Sequence, residues 1–540
     1  MKDISSTGSF INFYLNNYIY VDKTQYIRDL IKLERVFISR PRRFGKSLTL
    51  DTIATLFETG VEPYFKGTWI YDKWTEPTYP VLRLNFLDLD KYSLEHFKQK
   101  LNAIISSFAR DINVKNYEEK VEPEDTIYFL LDELRKEKRQ IVILIDEYDC
   151  QMTANINNET LYKQFQEKIK SFYATIKNKW PIKFLGITGV TRLKDVEIFS
   201  IGSDIRDITN ASAYSQMIGF TRDEIKRYYI DYLKLAASSE NKCRVEEVTD
   251  TQIESMLDMM AQNYDGYCFD EFYKKKVFST WSVNSFFQSI IENKFVYFDE
   301  YWYDNGGLPS ILVNYLKTHE LNIFEYLDKD KFLKVSSDDF KNPTALTTIN
   351  QNVLMCQTGY LTLRSDLKKS STVLLGIPNG EIYKALNRLL AKNIFKGNSD
   401  VTDDQGKNLL EVGSVDDIIN LFNCALNSVS YDNYPIVSES SVQNMLKLYL
   451  LGAHQEVLSE VHEAKGRADI VVNTDNKRIV FEFKYAKNET EAKSKLSEAV
   501  EQIKSRDYGN ILPKKNELLR IAAVFNADPK VRAFTEYQEV

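Results

Sequence analysis

The clearest apolar pattern in the chain is a set of short, nearly continuous hydrophobic runs in its first two hundred residues. Arg35-Val36-Phe37-Ile38-Ser39 is β-branched and aromatic, and from Lys46 onward Leu48, Ile53 and Leu56 fall at helical spacing. Ile141 to Ile145 is a five-residue aliphatic run leading into Asp146-Glu147, the signature of a strand buried on both faces. Val81 to Phe86 and Lys183 to Gly189 read as two further strands of the same parallel sheet. From Thr221 to about Gln288 the pattern becomes helical, with Thr221/Glu224 and Thr251/Glu254 spaced as N-terminal capping signals. Asp304 to Pro309 and the polar stretch 397–407 read as loops, and 311–375 as a mixed helical and short-strand connector.

Toward the C-terminus the period changes again. Ser441 to Leu451 predicts a helix, Val457–Val461 and Ala468–Val472 two strands joined by a turn at Lys465-Gly466-Arg467, and Asn473–Lys477 a hairpin turn into a third strand, Arg478–Lys484. Glu498 to Lys504 closes the series as a helix. Phe481 and Phe483 are expected to point into the core and leave Glu482 on the opposite, site-forming face.

Length and composition fit several globular domains. The chain has 540 residues, 43% hydrophobic and 13% aromatic, and divides on pattern into 1–220, a helical lid at 221–305, a mixed and winged-helix-like connector at 306–425, and 426–540. No secretory leader and no run of about twenty apolar residues stands out, so a cytoplasmic protein without a membrane span is expected. Five scattered cysteines, with no closely spaced pair, argue against a disulfide framework or zinc knuckle. Net charge is −7, and residues 441–540 hold 16 basic and 15 acidic residues. A nucleic-acid contact must then come from a local basic patch.

Two candidate sites follow. Arg40-Pro41-Arg42-Arg43-Phe44-Gly45-Lys46-Ser47 lies between a strand and a helix, where backbone N–H groups and a helix N-terminus cradle phosphates, Lys46 reaches the terminal phosphates and Ser47 ligates Mg²⁺. Arg40 stands where such loops usually carry their first glycine. Asp146 is the expected metal-holding acid and Glu147 the residue polarising the attacking water. Thr188, or Thr191, is the candidate γ-phosphate sensor, and Arg192 and Arg206 are candidates to neutralise transferred charge. Arg42, Arg43, Phe44, Gly45 and Leu48 complete the nucleotide-binding set. The strand 81–86 falls between the two motifs in chain order, as in ATPases with an additional inserted strand. In the second site Asp469 and Glu482 face each other across a hairpin, and Glu482 and Lys484 project from one face. Two carboxylates can hold Mg²⁺ or Mn²⁺ while the lysine orients water or phosphate. The dispersed histidines, His454 and His462 among them, read as structural or exposed.

The chain resembles bacterial and archaeal proteins that carry an AAA-ATPase-like N-terminal domain and a C-terminal PD-(D/E)XK nuclease-like domain. The matching segments are Tyr20–Thr24, Arg40–Ser47, Ile145–Asp149, Ile187–Val190, Ile198–Ser200, Tyr264–Tyr267 and Gln357–Leu361, in the family's order over nearly the whole chain. The resemblance implies an α/β multidomain fold: a P-loop parallel sheet with a helical lid, a connector and a restriction-endonuclease-like domain. It also accommodates Arg40 in the loop and Ala468 before Asp469. Gln502 is carried over as a supporting catalytic residue and Glu460 as an additional metal ligand, with Glu463 its rival. The expected activity is ATP hydrolysis joined to metal-dependent cleavage of DNA or RNA, in defence or as a toxin, with self-association left open. A signalling or scaffold NTPase whose C-terminal domain binds without cutting is the alternative, and a nucleotide-binding protein without turnover a third.

Overall fold

The computed structural model describes residues 1–540 apart from 178, 194–203, 303–309, 317–318, 320–322, 344, 396–403, 454 and 464–465, and apart from the side chains of 310, 404–407, 456 and 459–463. The Ile198–Ser200 segment, the whole Asp304–Pro309 loop, most of the 397–407 stretch, His454, Lys465 and the side chains of Glu460, His462 and Glu463 therefore lie outside the described residues. The chain is an α/β protein of two compact units, one of Met1–His319 with Phe332–Ile382, the other of Glu320–Lys331 with Tyr383–Val540.

The first unit is built on a five-stranded parallel sheet of β1 (Arg35–Ser39), β2 (Val81–Asn85), β3 (Ile141–Asp146), β4 (Ile182–Gly189) and β5 (Arg206–Asp207) in the order β2-β3-β4-β1-β5. β1 and β3 are buried along their whole length, which is why both read as unbroken apolar runs. In space the strand between β1 and β3 is β4, whereas β2, which separates them in sequence, lies at the edge. Register places Ile38 beside Thr188 and Ile145 beside Ile187, so the carboxyl ends of β1, β3 and β4 open at one rim. Ligands of open parallel sheets bind at such a rim.

The helices Arg222–Tyr228, Ile230–Asn241, Asp250–Tyr264 and Thr280–Asn293 share one apolar core, with Tyr229, Leu233, Met256, Met260 and Phe287 packed against Ile19 and Val21 of the N-terminal segment. Capping boxes form at Thr221/Glu224 and at Thr249/Gln252, the second two residues before the position expected from sequence. In the Tyr264–Tyr267 turn, Gly266 has φ of +95°, and a Cβ there would come 2.2 Å from the Pro378 carbonyl oxygen. Both the conformation and the close approach require glycine. A small antiparallel sheet of β6 (Leu333–Ser336), β7 (Thr362–Leu363) and β8 (Thr372–Gly376), ordered β6-β8-β7, follows.

The second unit carries β9 (Glu456–Glu463), β10 (Gly466–Asn473), β11 (Lys477–Ala486), β12 (Glu517–Asn526) and β13 (Ala533–Glu539) in the order β13-β12-β11-β10-β9. β11 and β12 are parallel, and the helix Glu489–Arg506 is the crossover that a parallel pair demands. The helix Glu439–Gly452 precedes the sheet. The turn read at 465–467 is displaced, because Gly466 and Arg467 already pair with Glu463 and His462 in the β9–β10 ladder.

Candidate functional site

The loop between β1 and the helix Lys46–Thr59 turns on two left-handed residues, Arg43 at φ +70° and Gly45 at φ +100°. Gly45 caps the helix without a side chain, leaving the first-turn N–H groups and the positive helix end to an anion. Lys46 is almost fully buried, and its Nζ donates to the carbonyls of Arg40 at 3.1 Å and Pro41 at 3.3 Å and stands 3.5 Å from Glu147 Oε1. Ser47 Oγ donates to Asp146 Oδ2 at 2.6 Å, and Thr188 Oγ1 donates to Asp146 Oδ1. The rim thus gathers Lys46, Ser47, Asp146, Glu147 and Thr188, and the Ser47–Asp146 oxygen pair suits a hard divalent cation. A cleft of about 460 Å³ opens from here, lined by Arg42, Phe44, Leu48, Tyr20, Phe220 and Trp281 among others.

Arg40 explains how the loop dispenses with its first glycine. Its guanidinium turns back into the domain, donating from Nη1 to the carbonyls of Ser39 at 2.8 Å and Thr209 at 2.6 Å and lying 4.1 Å from the Phe269 ring centre. Burial lowers its pKa to about 9. Phe44 likewise buries its ring against Tyr267 and Phe269, so the loop faces phosphate with backbone rather than with this side chain. Arg43 lies 4.1 Å over Trp281.

The carbonyls of Arg42 and Arg43 are pinned from outside the loop. Trp302 Nε1 donates to Arg42 O at 3.2 Å, and Thr280 Oγ1 to Arg43 O at 2.9 Å. Glu381 accepts from Trp302 N at 2.7 Å and, at 2.7 Å, from Ser282 Oγ, which lies two residues after Thr280 on the same helix. Burial raises the Glu381 pKa to about 8, with Glu300 and Asp299 adding to the rise. Pro41 abuts Gly359, where a Cβ would come 2.9 Å from the proline Cβ.

The acid pair is followed by a second clamp. Asp149 is buried and accepts from Thr191 N at 2.6 Å, Thr191 Oγ1 at 2.5 Å and Val190 N at 3.3 Å. Tyr148 Oη donates to Thr191 O at 3.2 Å. Thr191 is therefore engaged by Asp149, and Thr188 is the threonine that reaches Asp146. Arg192 pairs with Asp207 and lines a separate cavity of about 40 Å³ beside Arg40, not the cleft. Arg206 is exposed on β5.

In the second unit the β10–β11 register sets Ile470 opposite Phe481, one step from Asp469 and Glu482. Asp469 Oδ2 accepts from Phe483 N at 2.8 Å. Glu482 Oε1 accepts from Lys484 Nζ at 2.9 Å, while its Oε2 is buried with no hydrogen-bond partner among the described residues. Phe481 and Phe483 are buried and stacked at 5.6 Å as their alternation requires, but Glu482 is also 0% exposed. Its face, shared with Val480, is covered by the helix Glu489–Arg506 through Ala499 and Ile503. Burial first, and Asp469 next, raise the Glu482 pKa to about 7, and burial raises that of Asp469. Burial opposes charge on Lys484, yet Glu482, Glu439 and Asp469 outweigh it and raise its pKa. A buried, unpartnered carboxylate oxygen beside a second acid fits a divalent cation. The register Ala468 to Val461 and Ile470 to Ser459 sets position 460 opposite Asp469.

Gln502 does not reach the carboxylates, since its Nε2 donates to Tyr508 Oη at 3.4 Å. Sequence reading missed Glu439, whose Oε1 is 3.7 Å from Lys484 Nζ, and Gln443, which hydrogen-bonds Asp469. Both lie on the helix Glu439–Gly452, one helical turn apart, a spacing that becomes a signal once that helix is placed on the sheet. Glu381, Trp302 and Thr280 carry no motif that sequence could have used.

Residues 5–199 match the family model "Predicted AAA-ATPase", and residues 437–534 match the model of the PD-(D/E)XK nuclease superfamily. A protein of Azotobacter chroococcum mcd 1, described as an uncharacterized protein in the vnfD 5' region, is 25% identical over 532 residues, covering 95% of this chain and 94% of its own. Among solved structures, Cdc6p from Pyrobaculum aerophilum is 12% identical and covers 68% of this chain and 93% of its own at a TM-score of 0.22. The Aeropyrum pernix ORC1 protein in complex with DNA is 10% identical and covers 71% of this chain and 98% of its own at a TM-score of 0.27. Scores this low carry no argument about this chain.

Proposed function

For a chain that joins a predicted AAA-ATPase domain at its N-terminus to a PD-(D/E)XK nuclease superfamily domain at its C-terminus, we propose ATP binding and hydrolysis coupled to metal-dependent cleavage of a nucleic acid. The observation that carries the cleavage reading is Glu482, whose buried Oε2, near Asp469 and Lys484, has no hydrogen-bond partner among the described residues. A divalent ion, when bound, supplies charge neutralisation at the phosphoryl group and lowers the pKa of its water. Asp469 and Glu482 would hold it, with position 460 as a third donor, and Lys484 holds a proton-donating ammonium where water or the scissile phosphate approaches. In the first unit Asp146 and Ser47 would hold Mg²⁺ with ATP. Lys46 would exchange its carbonyl and Glu147 contacts for phosphate oxygens, Glu147 would accept the proton of the attacking water, and Thr188 would turn its hydroxyl from Asp146 to donate to the γ-phosphate.

The domains proposed are 1–220 for nucleotide, 221–305 as lid, 306–425 as connector and 426–540 for the nuclease-like fold. Defence against foreign nucleic acid, or a toxin role, is the biological use proposed, in the cytoplasm. The second reading, binding without cutting, draws on the near-neutral charge of residues 441–540.

The test is cleavage of single- and double-stranded DNA and RNA with Mg²⁺ or Mn²⁺, with and without ATP. Lys46→Ala should abolish hydrolysis of ATP and Glu482→Ala should abolish cutting. Hydrolysis that survives the first substitution, or cutting that survives the second, sinks the corresponding assignment.

A further inference from the structure

The near-neutral charge of the C-terminal module leaves open what meets the nucleic-acid backbone at the acid cluster, because Lys484 is engaged by Glu482 at 2.9 Å and faces Glu439 at 3.7 Å. Arg506 is placed differently. It ends the helix Glu489–Arg506 that covers the face of Glu482, is partly exposed, and makes no ion pair with a described residue. Its Nη1 donates to Tyr508 Oη at 2.8 Å, and Glu482 is the carboxylate that acts on it electrostatically. The side chain crosses the start of β10, where a Cβ on Gly466 would come 2.6 Å from Arg506 Cδ and 3.0 Å from Tyr508 Oη. Glycine at 466 keeps that passage open. Tyr508 is fully buried in the cluster of Ala468, Val471, Val480 and Ile503, and Gln502 Nε2 donates to the same oxygen at 3.4 Å.

We propose that Arg506, oriented by Tyr508, is a phosphodiester-binding residue that contacts a backbone phosphate of the nucleic acid beside the Asp469–Glu482–Lys484 cluster. The proposal rests on the nuclease reading of that cluster. A planar guanidinium suits this task, since it presents paired N–H donors to two phosphate oxygens, and one of its edges is already fixed by the tyrosine. Tyr508 is a positioning residue, and Gln502 acts through it.

The experiment measures binding of labelled single- and double-stranded oligonucleotides to the full-length protein in Ca²⁺ across a KCl series, Mn²⁺ affinity without nucleotide, and cleavage in Mn²⁺. Arg506→Gln should weaken binding about tenfold and lower the slope of log affinity against log salt by about one ion, with Mn²⁺ affinity unchanged. Arg506→Lys should restore the slope and part of the affinity, and Tyr508→Phe should reduce affinity with the slope kept. A wild-type protein that neither binds nor cuts any oligonucleotide removes the nuclease reading and this assignment together. A wild-type protein that binds and cuts, beside an Arg506→Gln protein of equal affinity and slope, removes the Arg506 assignment alone. Loss of Mn²⁺ affinity in step with oligonucleotide affinity would likewise make Arg506 a structural residue.

Discussion

Glu381→Gln should make the first unit more stable near neutral pH by replacing a carboxyl that must take up a proton on folding. Glu381 is 2% exposed and accepts from Trp302 N and Ser282 Oγ, and burial raises its pKa to about 8. In the unfolded chain the same carboxyl titrates near the ordinary glutamate value of about 4.3. A folded pKa above the unfolded one means a contribution that is fully present below the unfolded value and is lost as pH rises toward the folded value. Integrating between pH 5 and pH 7.5, the loss is about 3 kcal/mol. Glutamine mimics the neutral acid: its Oε1 accepts from Trp302 N and its amide donates to Ser282 Oγ. All five tryptophans, Trp69, Trp74, Trp180, Trp281 and Trp302, lie in the first unit, so urea unfolding followed by tryptophan fluorescence reports on that unit. The advantage of the variant over the wild type should grow by about 3 kcal/mol between pH 5 and pH 7.5. Identical pH dependence in the two proteins, or a variant weaker than wild type at pH 7.5, would refute the reasoning.

Asp149→Ala leaves the Thr191 and Val190 N–H groups without their acceptor, at about 1–3 kcal/mol for each orphaned group. Steady-state ATPase assays should show kcat falling while the affinity for an ATP analogue holds, and an equal loss in both would show that Asp149 does not act through the β4 exit. Gly189→Ala puts a Cβ 2.4 Å from Tyr148 Cδ1. It should lower the stability of the first unit by about 1–3 kcal/mol, read by the same fluorescence unfolding, and an unchanged midpoint would contradict the close approach. Glu439→Gln removes a carboxylate facing Lys484. A drop of about tenfold in Mn²⁺-dependent cleavage is expected, and wild-type rates would take Glu439 out of the cluster.

β1 to β4 and β9 to β11 were legible because their residues obey strong local rules, whereas β5, β12 and β13 were not read from the sequence. β1 and β3 are flanked by polar turns and buried on both faces, and β11 alternates around Phe481 and Phe483, so hydrophobic order alone located them within a residue or two. Asp146 and Lys46 were legible for the same reason, one standing at the end of β3 and the other at the start of the helix that follows β1. The hairpin register brought Asp469 and Glu482 together as the alternation required. Where the reading stopped, the cause was distance along the chain. The Glu381–Trp302–Arg42 chain of hydrogen bonds links residues from three remote segments, and no spacing rule connects them.

The sequence by itself determined that β1 to β4 and β9 to β11 form and which polar side chains they carry, since backbone period and side-chain polarity are properties of a few neighbouring residues. Tertiary structure alone decided that Arg40 turns away from the cleft, that Arg192 faces Asp207, that Glu482 is buried under a helix, and that Gln502 serves Tyr508. Those outcomes depend on which segments pack against each other, and a guanidinium or carboxylate takes whichever partner that packing brings within hydrogen-bonding reach.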